Sequence, residues 1–323
     1  MDGQGRLPTS AEEALLALMH SRAEVERLKE REHLFSTLLA SVNAVLWAFD
    51  WQARRMVYVS PAYERIFGRS AALLLADFEE WRNSVYPDDL EYAESSLLQA
   101  LEIGAMERRE YRIIRSDGEV RWLSDKCFVG RQTEAGLPLL IVGIAEDITD
   151  KKHMENELHR LATTDVLTQS SNRRYFFDSA EQAFTKSKTA GTPLAFLLLD
   201  VDDFKLINDR YGHQVGDQVL QRIAQCGAGA LRRGDLFGRI GGEEFAVLLS
   251  GCEESTARQI GERLQREVQR LRFCAPGEYF SVSISQGMTL LQPGDESLSM
   301  LFSRADAALY EAKRRGKDRL VQG

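Results

Sequence analysis

The sequence contains no hydrophobic run long enough to cross a membrane. A transmembrane helix needs about 18 or more consecutive apolar residues, whereas the longest candidates, Leu137–Ala145 and Leu194–Leu199, are far shorter. The first residues, MDGQGRLPTS, lack the basic region and the apolar core of a signal peptide. We therefore expect a cytoplasmic protein with no membrane insertion, whose stimulus is soluble or delivered by a partner protein.

Cysteine is scarce, and its spacing excludes two kinds of site. No two cysteines form a C-x-x-C motif, and none has the spacing of a zinc finger. In a chain of 323 residues, such isolated cysteines are most simply the reduced thiols of a cytosolic protein. The cysteines are Cys127, Cys226, Cys252 and Cys274.

Positive charge is also in the minority. The chain has 41 Lys and Arg against 49 Asp and Glu residues, which gives a formal net charge of -8. We expect no nucleic acid as the main partner, because binding to a phosphate backbone requires a basic face. A nucleotide substrate remains compatible, since it needs only local basic side chains and a metal ion. The length and mixed composition predict a soluble protein of two domains.

Acidic residues follow directly after a predicted buried strand. The apolar run Leu194–Leu199 predicts the strand, and Asp200, Asp202 and Asp203 come immediately after it. Folds of the α/β class usually hold their ligands at the carboxyl ends of strands. These carboxylates are therefore candidate site residues.

A second acidic group follows a predicted hairpin turn. Gly241-Gly242 lies between two apolar segments, and paired glycines supply the positive φ angles that a tight hairpin turn uses. Glu243 and Glu244 come directly after the turn. If the hairpin lies beside the first strand, Glu243 and Asp200 can share one metal ion. Hard oxygen ligands of this kind suit Mg²⁺.

The spacing of these residues resembles that of the GGDEF family, the diguanylate cyclases. Residues 200–217 match the family pattern D-x-D-x-F-K-x-x-N-D-x-x-G-H-x-x-G-D, and GGEEF is an accepted form of the family signature. An ordinary strand and hairpin with a solvated acidic loop explains neither the Asn and His residues nor their spacing. The matching residues are Asp200, Phe204, Lys205, Asn208, Asp209, Gly212, His213, Gly216, Asp217, Gly241, Gly242, Glu243, Glu244 and Phe245.

The resemblance implies a reaction and its site residues. Diguanylate cyclases join two GTP molecules into cyclic di-GMP and release pyrophosphate, with Mg²⁺ (or Mn²⁺) as cofactor. The family's base for the attacking hydroxyl corresponds to Glu243. The implied catalytic and metal-binding residues are Glu243, Glu244, Asp200 and the backbone carbonyl of Val201. The implied substrate-binding residues are Gly241 and Gly242 of the turn, Asn208 and Asp217 for guanine, His213 in the same loop, and Lys205, Lys313 and Lys317 for the phosphates.

The chain departs from the family pattern at three places. Gln169 and Ser170 stand where Gly and Leu are usual in the opening motif D-x-L-T-G-L-x-N-R-R, which begins here at Asp165. Lys317 stands where Arg is usual, so it offers a point charge instead of a fork of donors. Asp203 stands where an aromatic residue or His is usual, and its negative charge is expected to weaken GTP binding.

The tetrad from Arg232 to Asp235 precedes GGEEF by the family's spacing for its inhibitory R-x-x-D site. By resemblance, Arg232 and Asp235 bind the product cyclic di-GMP, and the arginine does so through a fork of charge-assisted hydrogen bonds. Each GGDEF domain carries one GTP, so the resemblance also implies a homodimer.

The element order of the catalytic half predicts its fold. Strand-like and helical segments alternate as βαββαβ, which implies a sheet with antiparallel strands and helices on one side. This order resembles the palm-like fold that GGDEF domains share with other nucleotidyl cyclases. The last predicted strand is Tyr279–Leu291, and the last predicted helix is Ala305–Arg315.

The segment from Val42 to about Thr149 has a different texture, with short strands, small helices and then three longer strands. The pieces Val59-Ser60-Pro61, Asp117-Gly118 and Asp147-Ile148-Thr149 appear in the order typical of a PAS domain, which the segment resembles. Ser116 to Glu119 predicts a hairpin turn.

The ligand of this domain stays unknown at the level of sequence. The segment has no histidine, which disfavours a haem with a proximal His, and Cys127 lacks the surroundings of a photoactive flavin-adduct cysteine. A small organic ligand, a non-covalent flavin or no ligand at all remain open. The tryptophans line a pocket or form plain core; they are Trp47, Trp51, Trp81 and Trp122.

Two further segments have helical patterns. The segment from Ala11 to Leu39 carries approximate heptads, which predict a coiled-coil dimer or a single amphipathic helix packed on the next domain. The segment from Asp150 to Thr163 is a polar helix with Met154, Leu158 and Leu161 on one stripe. It is a signalling helix between the domains or a passive linker.

We therefore expect an α/β (α+β) protein with a PAS fold and a palm-like nucleotidyl cyclase fold. The expected boundaries are 1–40 for an N-terminal helix, 41–149 for the PAS domain, 150–163 for the linking helix and 164–323 for the GGDEF domain. Two other functions remain open. One is a silent domain that binds cyclic di-GMP as a receptor, and the other is a cyclase with a different nucleotide product. A pure scaffold is the weakest alternative.

Overall fold

The computed structural model describes residues 10–41, 43–103, 105–132, 138–275 and 277–323. It divides into two compact units, Met1–Glu155 and Asn156–Gly323, and the division falls inside a helix. Within the described ranges, no helix combines the length and the apolar content that a bilayer span requires.

The first unit contains a long N-terminal helix and a five-stranded sheet with small helices between its strands. The sheet order is β2-β1-β5-β4-β3, and all neighbouring strands are antiparallel. Its elements are the helices Ser10–Ser41 (α1), Ala62–Phe67 (α2), Ala71–Ala76 (α3), Glu79–Ser84 (α4) and Leu90–Ile103 (α5), the 3-10 helix Pro87–Asp89, and the strands Ala44–Asp50 (β1), Arg55–Val59 (β2), Ala105–Ile114 (β3), Val120–Gln132 (β4) and Pro138–Asp147 (β5).

The strand periodicity explains which face of this sheet forms the core. Tyr111 and Ile113 of β3 are buried, and Arg112 between them points to the other face, where it binds Asp89. The predicted turn at Ser116 to Glu119 is confirmed, with Gly118 at a φ of 88°. The sequence analysis missed α3 and α4, which are each six residues long.

The helix Thr149–Thr163 (α6) begins on the sheet of the first unit. Asp147 Oδ1 accepts hydrogen bonds from the backbone nitrogen of Thr149 at 3.0 Å and from its hydroxyl at 2.6 Å. The same hydroxyl accepts from the backbone nitrogen of Trp122 on β4 at 2.9 Å. The start of the linking helix is therefore fixed to a central strand by its first side chain.

The second unit has a five-stranded sheet of order β12-β11-β6-β8-β7 and a separate hairpin of β9 and β10. Only β11 and β12 pair in parallel among the described strands of that sheet. Its elements are the helices Arg173–Ala190 (α7), Phe204–Tyr211 (α8), His213–Ala230 (α9), Glu254–Arg270 (α10) and Leu298–Arg314 (α11), and the strands Leu194–Val201 (β6), Leu236–Arg239 (β7), Glu244–Ser250 (β8), Phe273–Ala275 (β9), Glu278–Phe280 (β10), Ile284–Leu290 (β11) and Leu320–Gln322 (β12).

Helices cover both faces of this second sheet, so the expectation of helices on one side was wrong. All eight residues of β6 are buried. Leu197 and Leu199 pack in a core with residues of α9 and α10, whereas Phe196 and Leu198 pack with residues of α7 and α11. A continuous apolar run, rather than an alternating one, is the pattern of a strand buried on both faces.

The single strand expected at Tyr279–Leu291 is two strands in the structure. The first piece, β10, pairs with β9, and the second piece, β11, pairs with β6. The chain changes partner between them, where the backbone oxygen of Ser283 accepts from the nitrogen of Asp202 at 3.0 Å. The final helix also starts earlier than expected, at Leu298 rather than at Ala305.

Candidate functional site

Two acidic side chains meet where β6 ends and β8 begins. Asp200, near the end of β6, is paired in register with Glu244, the first residue of β8. One residue further on, the backbone nitrogen of Val201 donates to the carbonyl of Glu243 at 3.2 Å. The predicted hairpin therefore lies beside the predicted strand, and it brings Glu243 next to Asp200.

A lysine from the far end of the chain completes this group. The Nζ atom of Lys313, at the end of α11, lies 2.7 Å from Oδ2 of Asp200. Burial raises the pKa of Asp200 above its ordinary value in spite of this hydrogen bond. Burial, and after it the charge of Asp200, raises the pKa of Glu243. Both carboxylates would thus gain from an additional nearby cation.

These donors fit a hard divalent cation. Their ligand atoms are carboxylate oxygens, and the ammonium group of Lys313 already occupies a cation position against Asp200. The part of the chain that the structure describes has no group of three or more His, Cys, Asp or Glu side chains in metal-binding arrangement. A cation here therefore takes its remaining ligands from elsewhere, as Mg²⁺ does when it arrives with substrate phosphates.

The turn between β7 and β8 is held by arginines that the sequence analysis did not single out. Arg239 donates from Nη2 to the carbonyl of Gly242 at 2.7 Å and from Nη1 to Asp165 at 3.2 Å. Arg173 donates to the carbonyl of Ile240 at 2.7 Å. The only signal for Arg173 was its place in the N-R-R motif. Neither Gly241 nor Gly242 has a positive φ, so the expected reason for the two glycines was wrong.

The entry loop has a left-handed residue at Gln169, where the family pattern has Gly. Gln169 stands in the left-handed region with a φ of 57°, the conformation for which the usual Gly is suited. Its side chain donates to the carbonyl of Val166 at 2.7 Å, a bond that glycine lacks. Asp165 still accepts from the nitrogen and the hydroxyl of Thr168 at 2.9 and 2.7 Å.

A buried acceptor without a partner lies between α8 and α9. The Oδ1 atom of Asn208 is buried and makes no hydrogen bond with the described residues. A Cβ atom at Gly216 would overlap this oxygen, so any residue other than glycine at 216 would displace the Asn208 side chain. The two helices meet at Gly212, which has a φ of 85°. Such an orphaned acceptor is a position for a ligand's N–H group.

The other predicted nucleotide residues lie on the exposed side of these helices. Lys205 is in the first turn of α8, His213 is the first residue of α9, and Asp217 is one turn further along. All three are exposed. The structure places them on the same pair of helices as Asn208, but it shows no hydrogen bond between them and that residue.

The second aspartate of the motif, Asp202, has a structural role that the sequence did not reveal. It is buried and accepts from the hydroxyls of Ser283 and Ser285, both at 2.6 Å. It also accepts from the backbone nitrogen of Asp318 at 3.1 Å. This carboxylate therefore ties the loop after α11, which contains Lys317, to the end of β6.

Arg232 and Asp235 lie together beside an open cleft. Asp235 Oδ1 is 3.4 Å from Nε of Arg232, whose Nη2 also donates to the carbonyl of Ser250 at 2.7 Å. The cleft of about 210 Å³ is lined by both residues and by Arg263. A second guanidinium, that of Arg263 on α10, thus borders the cleft, and its Nη2 donates to the carbonyl of Ala230.

Two models of known protein families match this chain. Residues 162–319 match the family model "Diguanylate cyclase, GGDEF domain", and residues 56–145 match the model "PAS fold". A protein of Vibrio cholerae serotype O1 named "Diguanylate cyclase" is 31% identical over 265 residues, which cover 81% of this chain and 81% of that protein.

The chain belongs to the GGDEF family of diguanylate cyclases. The diguanylate cyclase DgcP of Pseudomonas aeruginosa is 41% identical over 168 residues, or 52% of this chain and 25% of DgcP. Among solved structures, the coiled coil and GGDEF domain of DgcB from Caulobacter crescentus, in complex with c-di-GMP, has a TM-score of 0.52. It is 30% identical and covers 55% of this chain and 93% of its own. The expected order of a PAS fold followed by a GGDEF domain is confirmed.

The PAS unit has a small cavity inside its core. The cavity encloses about 40 Å³ and is bordered by aromatic side chains and by the ion pair of Arg109 and Asp125, both 2% exposed. The hydroxyl of Tyr63 also borders it and has no hydrogen-bond partner among the described residues. An apolar cavity that accepts benzene measures about 150 Å³. A ligand as large as flavin therefore requires these side chains to move.

The tryptophans of the PAS unit do not act as one group. Trp47 and Trp81 border this cavity, and Trp51, together with Trp81, borders a neighbouring open cleft. Trp122 borders neither of these two spaces and stacks instead with cationic side chains, Lys152 among them. Burial raises the pKa of Cys127 to about 11, which keeps that thiol protonated.

Proposed function

We propose that the protein is an active diguanylate cyclase that joins two GTP molecules into cyclic di-GMP. The 3′-hydroxyl of each GTP attacks the α-phosphate of the other, two new P–O bonds form, and two pyrophosphates leave. The observation that carries the proposal is the pair formed by Asp200, near the end of β6, and Glu243, directly before β8, with Lys313 against Asp200. Phosphoryl transfer needs alignment and charge neutralisation more than covalent catalysis. Two carboxylates that can hold a cation, with a lysine beside them, can supply both.

In this proposal, the carboxylates of Asp200 and Glu243 and the carbonyl of Val201 would hold Mg²⁺ (or Mn²⁺), with Glu244 as the further contact that the family resemblance implies. When bound, the ion neutralises charge on the phosphates. Glu243 takes the proton of the attacking hydroxyl.

The guanine base is recognised by the helices α8 and α9. The unpartnered Oδ1 of Asn208 accepts from an N–H group on the edge of guanine, and Asp217 binds the same edge. Adenine lacks these donors, and its binding would leave the acceptor unpaired. Lys205, Lys313 and Lys317 bind the phosphates, and His213 with the turn glycines borders the nucleotide.

A homodimer brings two such half-sites together. The helix α6 has no buried residue, and Met154, Leu158 and Leu161 leave an apolar stripe exposed along it. The described part of α1 likewise exposes Leu18 and Leu28. We propose that these stripes pair with those of a second chain as coiled coils. The PAS unit then regulates the reaction by changing the packing of α6, the helix that directly follows the last strand of the PAS sheet. A cytoplasmic location follows from the need for GTP.

The direct test is incubation of the purified full chain, first stripped of bound nucleotide, with GTP and Mg²⁺. Chromatography should show cyclic di-GMP formed from GTP and none from ATP. The specific activity of the protein should rise with protein concentration over the range in which dimers form. No product from GTP under any dimeric condition, with no binding of GTP either, would refute the proposal.

The second part of the proposal is product inhibition at Arg232 and Asp235. Changing Arg232 to Ala should raise the cyclic di-GMP concentration for half-inhibition about tenfold or more. A charge-assisted fork is worth about 1.5–3 kcal/mol, and 1.4 kcal/mol is a factor of ten. The measurement is the initial rate at rising product concentration. Arg233→Ala is the matched control, because its side chain is exposed next to Arg232 at a position that the R-x-x-D motif leaves open. Equal inhibition of all three proteins would contradict this site.

A further inference from the structure

Asp203 and Lys317, two of the residues at which this chain departs from the family pattern, contact each other. The Nζ atom of Lys317 lies 2.6 Å from Oδ1 of Asp203. Both residues are in the left-handed region, with φ of 61° for Lys317 and 55° for Asp203. Because residues other than glycine rarely adopt this conformation, contacts with neighbouring residues must hold the backbone in it.

The backbone around Lys317 is fixed from two sides. Asp318 donates its nitrogen to the buried carboxylate of Asp202, and its own carboxylate accepts from Gln265 and Gln269 of α10 at 2.8–3.0 Å. Arg319 donates to the carbonyl of Lys317 at 2.9 Å. The base of the lysine side chain is therefore held in place, and its ammonium group reaches across to the start of α8.

Lys317 lies among carboxylates. The hydrogen bond to Asp203 raises the pKa of Lys317, and the charges of Asp203, Asp202 and Asp200 act in the same direction. Asp202 already accepts hydrogen bonds from two serine hydroxyls and a backbone nitrogen, and Asp200 already binds Lys313. Asp203 is the exposed member, with half of its side chain open to solvent, and so it is the one that an incoming anion can displace.

We propose that Asp203 is a restraining counter-ion that competes with the triphosphate of GTP for Lys317, and so sets the affinity of the site for triphosphate nucleotides. This inference rests on the proposed function, in which Lys317 binds phosphate. When GTP arrives, the ammonium group exchanges the carboxylate of Asp203 for a phosphate oxygen, and no covalent bond changes. The same carboxylate also repels the triphosphate, so both effects of Asp203 weaken binding.

The contact is an exposed ion pair, and such pairs are weak in water. Its removal should therefore tighten triphosphate binding about twofold to fivefold, and high salt should reduce the difference by screening. A comparison of a monophosphate with a triphosphate shows whether the effect of Asp203 acts on the β- and γ-phosphates. A monophosphate has no β- or γ-phosphate, so Asp203 should matter far less for GMP than for a triphosphate.

The experiment measures the Kd of 3′-deoxy-GTP and of GMP by calorimetry in Mg²⁺, with the full chain. The analogue lacks the attacking hydroxyl, so no product forms. The variants are Asp203→Asn, Lys317→Gln and the double variant, and asparagine suits the left-handed conformation that the position requires. Glu267→Gln is the control, because it removes one carboxylate from a similar exposed ion pair, with Arg270 at 2.7 Å, elsewhere on the second unit.

We expect Asp203→Asn to bind 3′-deoxy-GTP more tightly than wild type, with an unchanged Kd for GMP and no change in Glu267→Gln. In the Lys317→Gln background, the gain from Asp203→Asn should shrink, because the contested ammonium group is gone. The inference is overturned, and the proposed function is not, if Asp203→Asn binds GMP with an equal gain in affinity. The same holds if it binds 3′-deoxy-GTP no more tightly than wild type. If wild type binds neither 3′-deoxy-GTP nor GMP, the proposed function fails with it.

Discussion

Changing Glu243 to Gln should lower the rate of cyclic di-GMP formation at least about a hundredfold. The amide cannot accept the proton of the attacking hydroxyl, and a positioned base contributes about 10²–10⁴ in rate. It also removes one negative charge from the pair that would hold the cation. The backbone is expected to stay in place, because it is the carbonyl of Glu243, not its side chain, that bonds to Val201 at 3.2 Å.

The measurement is the initial rate of product formation from GTP at several Mg²⁺ concentrations. Glu262→Gln is the control, since this glutamate is exposed on α10 and has the same change of charge. Thermal unfolding of both variants should match wild type. A Glu243→Gln protein that retains more than a tenth of the wild-type rate would show that this carboxylate is not the base.

Changing Gly287 to Ala should destabilise the second unit by about 3 kcal/mol. A Cβ atom at this buried position of β11 would overlap the backbone oxygen of Ala305 and the backbone nitrogen of Leu309 on α11. No side-chain rotation relieves an overlap with backbone, so the helix must move away from the strand. Since α11 ends at Lys313 and Arg314, the displacement should also disturb the contact of Lys313 with Asp200.

The chain offers internal controls for this experiment. All four tryptophans lie between residues 47 and 122 in the first unit, so tryptophan fluorescence follows the unfolding of that unit. Hydrogen exchange of the β11 and α11 peptides follows the second. In Gly287→Ala, exchange of these peptides should accelerate while the fluorescence transition keeps its midpoint. Gly294→Ala, with open space around the new methyl group, should stay within about 0.5 kcal/mol of wild type. Unchanged exchange in Gly287→Ala would mean that the close packing is absent in solution.

The sequence by itself determined the parts of the protein that follow from local pattern. The apolar run at Leu194–Leu199 predicted a buried strand, and the acids after it predicted the position of the site. The Gly-Gly turn predicted the hairpin that carries Glu243. In the PAS unit, the turn predicted at Ser116 to Glu119 was also correct, and there Gly118 has the positive φ that Gly241 and Gly242 lack. In each case the signal lies within a few consecutive residues, where hydrophobicity and turn preference act.

Only the tertiary structure decided the contacts between residues far apart in the chain. Lys313 reaches Asp200, Lys317 reaches Asp203 over 114 positions, and Asp318 bonds to Asp202 over 116 positions. A charged side chain carries no local pattern that names its partner, since any opposite charge satisfies the same chemistry. The partner is fixed when β11 pairs with β6 and α11 packs on β11, because that packing sets which charges lie within hydrogen-bond distance.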